Sequence, residues 1–412
     1  MEPVDVLVVG SGGREHALAW KLAQSPLLGR LHAAPGNPGI AELGACHPVR
    51  PEDGEAVLDL CRQLGIDLVV IGPEAPLVAG LADVLRHAGV SVFGPSAGAA
   101  RIESSKSFAK EVMRAAGVPT AAELSAVRAP CVVKADGLAA GKGVFVCRTP
   151  LEAEAAVTRA RKLGDRVVVE ELLEGAEVSL FALCDGQEAV PIAPAQDFKR
   201  LRDGDEGPNT GGMGSYSPVP GIGPAEVEEL TDLVHRPVLA ELTARRIPFR
   251  GLLYAGLMLT EQGPRVLEFN CRFGDPETQA ILPRLEGDLL GALAAAAEGS
   301  VEANQLTPGS EAAVTVVVAS PGYPDAPDTG TPIGGVAEAE ADGALVFHAG
   351  TARRGDTLVS AGGRVLNVTG TGASLGEARD RAYRAVAHID FPGAHYRRDI
   401  AATAARHEHV PS

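Results

Sequence analysis

Aromatic residues are scarce in this chain, 4% of 412 positions with a single Trp. Stacked aromatic platforms of the kind that grip single-stranded nucleic acid are therefore not expected. Positive charge is also short. The 37 Lys and Arg face 53 Asp and Glu, a formal net charge of −16. Such a surface repels polyanions and excludes duplex nucleic acid as the main partner, although local basic pockets for small phosphates remain compatible with it. Long apolar runs are absent. The best candidates, Leu289–Ala297 and Ala312–Ala319, fall well short of the ~18 residues that span a bilayer. The opening Met1-Glu-Pro-Val-Asp5 lacks the basic-then-apolar order of a secretory signal. A cytoplasmic protein without a membrane partner is expected. No C-x-x-C pair occurs among Cys46, Cys61, Cys131, Cys147, Cys184 and Cys271, so a zinc knuckle and a disulfide framework are both set aside in favour of buried, reduced thiols.

What is present is an ordinary globular balance, 45% apolar and 22% charged, in a length that implies two or three domains at ~150 residues each. Glycine is in surplus, 49 residues, which points to tight turns and close backbone approaches. The first hundred residues alternate between two periods. Val4–Val9, Asp67–Ile71 and Val90–Phe93 read as buried strands, each followed by Gly, with helices over Arg14–Gln24 and Glu55–Leu64 between them. That alternation predicts a doubly wound parallel sheet, whose ligands gather at the carboxyl ends of the strands. A helix over Ser105–Ala116 stops at Gly117 and Pro119. Short strands Cys131–Lys134 and Val144–Cys147 flank a Gly-rich hairpin, and Thr149-Pro-Leu-Glu152 is a capping box opening a helix. Strands follow at Arg166–Glu170, Ala176–Leu183, Ala189–Ala193, Leu252–Leu259 and Arg265–Asn270, with a helix from about Pro224 to Arg246. Gln196–Pro220 reads as a long structureless loop, a length that is usually functional. Ser300–Glu311 reads as a linker into a final domain with strands near Ala312–Ala319 and Arg364–Thr369, and the capping box Ser374-Leu-Gly-Glu377 opens its last helix.

Three strings carry chemistry. Gly10-Ser-Gly-Gly-Arg-Glu-His16 follows a strand and opens a helix, an anion seat made by backbone N–H groups and the helix dipole. The third Gly of a dinucleotide fingerprint would fall at Glu15, which disfavours a nicotinamide oxidoreductase and leaves a mononucleotide-like phosphate site or a plain tight turn. Gly137–Gly143 lacks the spacing of a Walker loop and suggests a hairpin lid over phosphates, with Lys142 as a point charge and Lys134 entering the same place. Glu268-Phe-Asn270 puts a carboxylate and an amide oxygen on one sheet face. That donor set suits Mg²⁺, which takes few protein ligands and completes its shell with phosphates and water.

Lys106, Lys134, Ala139-Ala-Gly-Lys-Gly143, Glu170 through Glu177 and Glu268-x-Asn270 together resemble the ATP-grasp fold. Longer strings are more specific. Gly10–Ala17, Ala34-Pro-Gly-Asn37, Gly72-Pro-Glu-Ala-Pro-Leu77, Val133–Val144, Gly207-Pro-Asn-Thr-Gly-Gly-Met-Gly214, Glu268–Gln279, Phe347-His-Ala-Gly-Thr351 and Gly362-Gly-Arg-Val-Leu366 resemble the phosphoribosylamine–glycine ligase family. The one departure is Pro119–Pro130, shorter than the family pattern by what looks like a helix before the lid.

The resemblance implies an α/β and α+β multidomain protein: an N-terminal α/β substrate domain over 1–103, an ATP-grasp domain over 104–305 with a lid subdomain over about 120–174, and a small α+β domain over 306–412. It implies ATP-dependent ligation of glycine to 5-phosphoribosylamine through glycyl phosphate, with Mg²⁺ (or Mn²⁺) on Glu268 and Asn270. ATP would meet Lys106, Lys134, Gly141, Lys142, Gly143, Glu170, Glu171, Leu173 and Glu177, with Glu170 beside the adenine mainly through its backbone and Glu177 on the ribose. Gly12, Gly13, Arg14, Asn37, Glu74, Asn209, Gly211, Gly212 and Asp275 would meet the sugar substrate or line the meeting point of the substrates. Arg272 would hold the glycine carboxylate and Asp197 its ammonium group, while Lys142 would act on the transferring phosphoryl; the alternative for Asp197 is an ion pair with Lys199 or Arg200. A monomer is expected. Other ATP-grasp ligases and a regulator that has lost catalysis are the competing readings.

Overall fold

The computed structural model describes residues 3–138, 143–164, 166–303 and 305–408. Gly141 and Lys142 lie outside the described residues. Five strands open the chain: β1 (Val4–Gly10), β2 (Leu28–Pro35), β3 (Ala45–Cys46), β4 (Leu68–Ile71) and β5 (Ser91–Phe93). They form one parallel sheet in the order β3-β2-β1-β4-β5. Leu68-Val-Val-Ile71 is wholly buried, as a central strand covered by helices on both faces must be. β2 and β3 were not expected from sequence. The first half of β2 is exposed and polar, with Arg30 paired to Asp5 at 2.5 Å, so it shows neither a continuous apolar run nor alternation.

The lid subdomain holds β6 (Cys131–Asp136), β7 (Val144–Cys147) and β8 (Arg166–Glu171), ordered β7-β6-β8, with the helix Pro150–Ala160 packed on them. Thr149 and Glu152 close the anticipated capping box on that helix. Between Pro119 and Pro130 the described chain runs without a helix, as the shortened segment suggests. β9 (Ala176–Asp185) and β10 (Ala189–Pro191) then begin the central sheet.

The stretch read as a structureless loop contains β11 (Gln196–Asp197), β12 (Arg200–Arg202), β13 (Glu206–Asn209) and β14 (Gly214–Ser217). β14 is buried along its length although it is written Gly-Ser-Tyr-Ser. Two of its three side-chain hydroxyls have partners among the described residues: Tyr216 donates to Gln196, and the Ser217 hydroxyl donates to the Pro194 carbonyl and accepts from Arg284. Polar letters hid the strand. β15 (Arg250–Thr260) and β16 (Gly263–Asn270) complete the antiparallel central sheet, ordered β10-β9-β15-β16.

Farther on, β17 (Leu285–Gly287) pairs with β18 (Leu306–Pro308), so the anticipated linker carries a short strand. β19 (Ala312–Ala319), β20 (Leu345–His348), β21 (Thr351–Arg354), β22 (Thr357–Ser360) and β23 (Arg364–Gly372) follow. The C-terminal sheet runs β11-β14-β19-β23-β20, so it borrows two strands from the preceding region. The helix opened by Ser374 spans Leu375–Val386 and is not the last; Ala402–His407 follows it. Two core clusters cross from the N-terminal sheet into the central region, whereas the C-terminal sheet and the lid each have their own.

Candidate active site

One end of the site is a cleft between the lid and the central sheet. Ser105 caps the helix Lys106–Ala116, and the Asp136 carboxylate at the end of β6 accepts from the Lys106 amide and the Ser107 hydroxyl, both at 2.6 Å. A carboxylate is favourable at a helix N-terminus. Here it ties the helix to the root of the hairpin, where the Lys106 ammonium donates to the Gly137 carbonyl at 2.6 Å. Lys134 donates to the Leu267 carbonyl at 2.8 Å and pairs with Glu170 at 2.7 Å. Gly143 accepts from the Ala135 amide at 2.8 Å.

Glu268 and Asn270 alternate along β16 onto one face, as spacing predicted. Burial works to raise the Glu268 carboxyl, but Lys199, Lys134, Lys106 and Arg272 outweigh it and hold the group below its ordinary pKa. An ionised carboxylate beside an amide oxygen is a hard-oxygen pair that fits Mg²⁺. Among the described residues no group of three or more His, Cys, Asp or Glu side chains forms a metal cage.

Sequence reasoning named Lys199 only as a possible ion partner of Asp197. Its ammonium lies 2.7 Å from Glu177, 3.8 Å from Asp197 and 3.9 Å from Glu268. The ion pair held open as the alternative for Asp197 is thus present. Burial pushes the Asp197 carboxyl up to about 8, with Lys199 opposing and Glu277, Glu177 and Glu268 reinforcing it.

Glu170 departs from expectation. Its carboxylate does not face a nucleotide but turns inward onto Lys110 and Lys134. The next residue donates its amide to Ala122, and alternation then directs Glu170's own backbone at its ladder partner Val132 in β6. Glu171 accepts from the Ala122 amide at 2.7 Å, and Leu173 lies half-buried just beyond.

The other end of the site is a junction of all three regions. Glu15 takes the position of a dinucleotide fingerprint's third Gly. Its carboxylate accepts from the Gly12 amide at 2.6 Å and from Arg14 at 2.5 Å. A Cβ at Gly10, where φ is +126°, or at Gly72 would lie within 2.8 Å of the Glu15 side chain, so these glycines make room for it. The Gly12 N–H is therefore already engaged, and of the expected phosphate seat the turn leaves Gly13 and Arg14. The Arg14 guanidinium points inward, with a bond to the Phe273 carbonyl at 3.2 Å.

Asn37 is a correction. Its amide donates to the carbonyls of Ser11 and His348 at 2.9 and 2.8 Å and its oxygen accepts from the Ile40 amide at 3.0 Å. A buried amide with both ends engaged ties the glycine turn to the C-terminal region instead of meeting a substrate. The Asn209 amide reaches the Val144 carbonyl of the lid at 3.3 Å.

Arg272 bridges Glu74 at 3.2 Å and Glu103 at 3.0 Å and donates to the Phe273 carbonyl at 3.0 Å. That engages three of its five N–H groups. Burial alone would raise Glu74, yet Arg272 and Arg14 hold its carboxyl down at about 2. Asp275 pairs with Arg364 at 3.0 Å and accepts from Gln279 at 2.8 Å. Arg364, a residue that sequence reasoning left without a role, also donates to the Gly211 carbonyl at 2.5 Å, and Tyr323 accepts from the Gly211 amide at 3.0 Å. Gly212 has φ of +107°, and a Cβ there would stand 2.4 Å from Pro276; the glycines of this string exist for packing at the junction. Only the double glycine before Arg364 hinted that its backbone runs close to another element.

The chain matches three successive domains described as phosphoribosylglycinamide synthetase: the N domain over residues 4–103, the ATP-grasp (A) domain over 104–278 and the C domain over 313–403. It is 57% identical to the phosphoribosylamine–glycine ligase of Streptomyces coelicolor over 416 residues, covering 97% of this chain and 99% of that one. With the same enzyme from Rhizobium meliloti the identity is 52%, covering 96% and 97%. The crystal structure of phosphoribosylamine–glycine ligase from Thermotoga maritima superposes with a TM-score of 0.82 at 35% identity, covering 97% of this chain and all of that one. The biotin carboxylase domain of a Hydrogenobacter thermophilus 2-oxoglutarate carboxylase shares the fold at 17% identity, with a TM-score of 0.70.

Proposed function

Because this chain belongs to the phosphoribosylglycinamide synthetase family, we infer that it is the ATP-dependent ligase that joins glycine to 5-phosphoribosylamine in purine biosynthesis. The chemistry explains the inventory. A carboxylate resists an amine because its leaving group would be oxide. Phosphorylation of glycine by ATP gives glycyl phosphate and ADP, and attack by the sugar amine then forms the amide and releases phosphate. The transferring phosphoryl needs positioning and charge neutralisation more than covalent help.

Lys106 and Lys134 receive the phosphates, together with Lys142 of the hairpin. Glu268 and Asn270 would hold Mg²⁺ (or Mn²⁺), which supplies further charge neutralisation on the phosphates. The backbone between Glu171 and Leu173 takes the adenine edge in place of Glu170, and Glu177 takes the ribose hydroxyls. At the junction, the N–H groups of Gly13 and Arg14 seat the sugar phosphate, with Glu74 and Asp275 facing the sugar and Gly211 and Gly212 where the substrates meet. The two N–H groups of Arg272 that no described residue engages suit the glycine carboxylate, and Asp197 its ammonium. The reaction takes place in the cytoplasm.

The observation that carries this allocation is convergence. Lys134 bonds the Leu267 carbonyl, next in chain to Glu268, and Lys106 and Lys134 both act on the Glu268 carboxylate. The test is to incubate the protein with ATP, Mg²⁺ and freshly made phosphoribosylamine, with and without glycine, and follow ADP. Glycine-dependent ADP formation with amide product is expected; ADP release indifferent to glycine would sink the reading.

A further inference from the structure

Lys110 has no role in the scheme above, yet it is among the most committed side chains in the molecule. It sits one turn along the helix from Lys106, and only 7% of its side chain is exposed. Its ammonium meets three acceptors: the Thr120 hydroxyl at 2.9 Å, the Ala121 carbonyl at 2.6 Å and Glu170 Oε1 at 2.7 Å. An ammonium has three N–H donors, so Lys110 has none to offer a nucleotide. Glu170 Oε2 takes Lys134 at 2.7 Å, and both partners of that pair are likewise under a tenth exposed.

This triad has two consequences. The first concerns charge. Two ammonium groups share one carboxylate, so the triad keeps a net positive charge out of water; the Glu268 carboxylate offsets part of it, and an approaching anion would offset the rest. Lys110 is saturated. Lys134 has two acceptors among the described residues, Glu170 and the Leu267 carbonyl, which leaves one of its three donors for that anion. The second concerns the hinge. The lid is attached by an inbound segment through Thr120 and Ala121 and an outbound segment through Glu170 and Glu171, and Lys110 holds both from the helix beneath. Thr120 is pinned in turn to the Val266 carbonyl at 2.8 Å, one residue from the carbonyl that Lys134 uses.

We propose that Lys110 is a positioning residue for nucleotide binding: it neutralises Glu170, so that the carboxylate fixes Lys134 in place without cancelling its charge toward the phosphates. This rests on the reading of Lys134 as a phosphate ligand.

The full-length protein should be titrated with MgADP and, separately, with adenosine. For Lys110→Met the dissociation constant for MgADP should rise about tenfold, the equivalent of one charge-assisted hydrogen bond, while that for adenosine changes less than about twofold. Lys110→Gln keeps a neutral donor to Glu170 and carries the same expectation should the methionine variant fail to fold. Lys110→Arg, which restores the charge, should return MgADP affinity to within about twofold of wild type. A role in folding alone would weaken ADP and adenosine together, and that result, or unchanged MgADP binding in the methionine or glutamine variant, overturns the proposal. Glycine-dependent ADP formation by the wild type tests the underlying reading separately.

Discussion

The lid and the three-way junction are built on opposite principles. The lid's buried core is Cys131, Val133, Ala135, Cys147, Ala153, Ala156 and Ala160, small side chains that remove little apolar area from water. It is separate from every other core, and Leu151 on its outer face is 78% exposed. The junction is fixed by charged and polar bonds across region boundaries: Arg14 to Phe273, Glu74 to Arg272, Asn37 to His348 and Arg364 to Asp275. A small independent core opens at low cost, whereas a bonded junction opens only as the whole protein unfolds. On the proposed allocation the sugar substrate meets a rigid seat and the nucleotide a hinged cover, which suits a reactive acyl phosphate that must be kept from water until the amine arrives.

The widest difference should come from side chains at the reacting phosphoryl. Glu268→Ala removes the carboxylate of the proposed metal pair and should lower glycine-dependent ADP formation by more than the about 10–100-fold typical of merely supporting residues. Retained turnover would remove the metal role and with it the meaning of the cleft.

Arg364→Met tests the other side. Loss of the guanidinium leaves Asp275 without its cation and the Gly211 carbonyl without its donor. Breaking a largely buried pair costs about 3 kcal/mol, so urea unfolding should shift to lower concentration. KM for phosphoribosylamine should rise while MgADP affinity holds. Equal losses at both ends would mean that junction and cleft are one rigid unit, contrary to the comparison.

Acid should find the junction first. Glu74 is ordinarily near 4.5 and is held at about 2 in the fold. Between those values the unfolded chain binds more protons, so stability rises with pH; the contribution is complete above about 4.5 and disappears as pH falls toward 2. Glu74→Gln should flatten that acid limb in a pH series of urea midpoints. An unchanged limb would show that the Arg272 pair adds nothing.

The legibility of these parts follows the range of their interactions. The strands β1 and β4, the capping box at Thr149 and the shared face of Glu268 and Asn270 are local patterns and could be read directly. What escaped depends on partners far along the chain. β14 is a strand because β19 and β11 flank it, not because Gly-Ser-Tyr-Ser has β character. Arg364 matters through Asp275 and Gly211, and Lys110 through Thr120 and Glu170. Asn37 sits in a motif that reads as substrate-binding, but its amide is engaged by a carbonyl from the C-terminal sheet, which no local spacing announces. Motif strings located the site well; which members face the ligand and which hold the others was decided by tertiary contact.

The smallest effect discriminates most finely. Thr149 caps the lid helix through the Glu152 amide at 3.3 Å, and Ser96 caps the helix Ala97–Ser104 through the Ala99 amide, also at 3.3 Å. Replacing either cap with Ala costs about 1 kcal/mol. If the lid is an independent unit, Thr149→Ala lowers its opening free energy alone, and amide exchange in β6, β7 and the Pro150–Ala160 helix should quicken about fivefold while the parallel sheet is unaffected. Ser96→Ala, in a helix whose Ala99, Ala100 and Ile102 belong to the core shared with the central sheet, should leave lid exchange unchanged and lower only the global stability. Exchange that accelerates everywhere in both variants would show that cover and seat unfold together, and the separation between them would then be one of geometry without thermodynamic content.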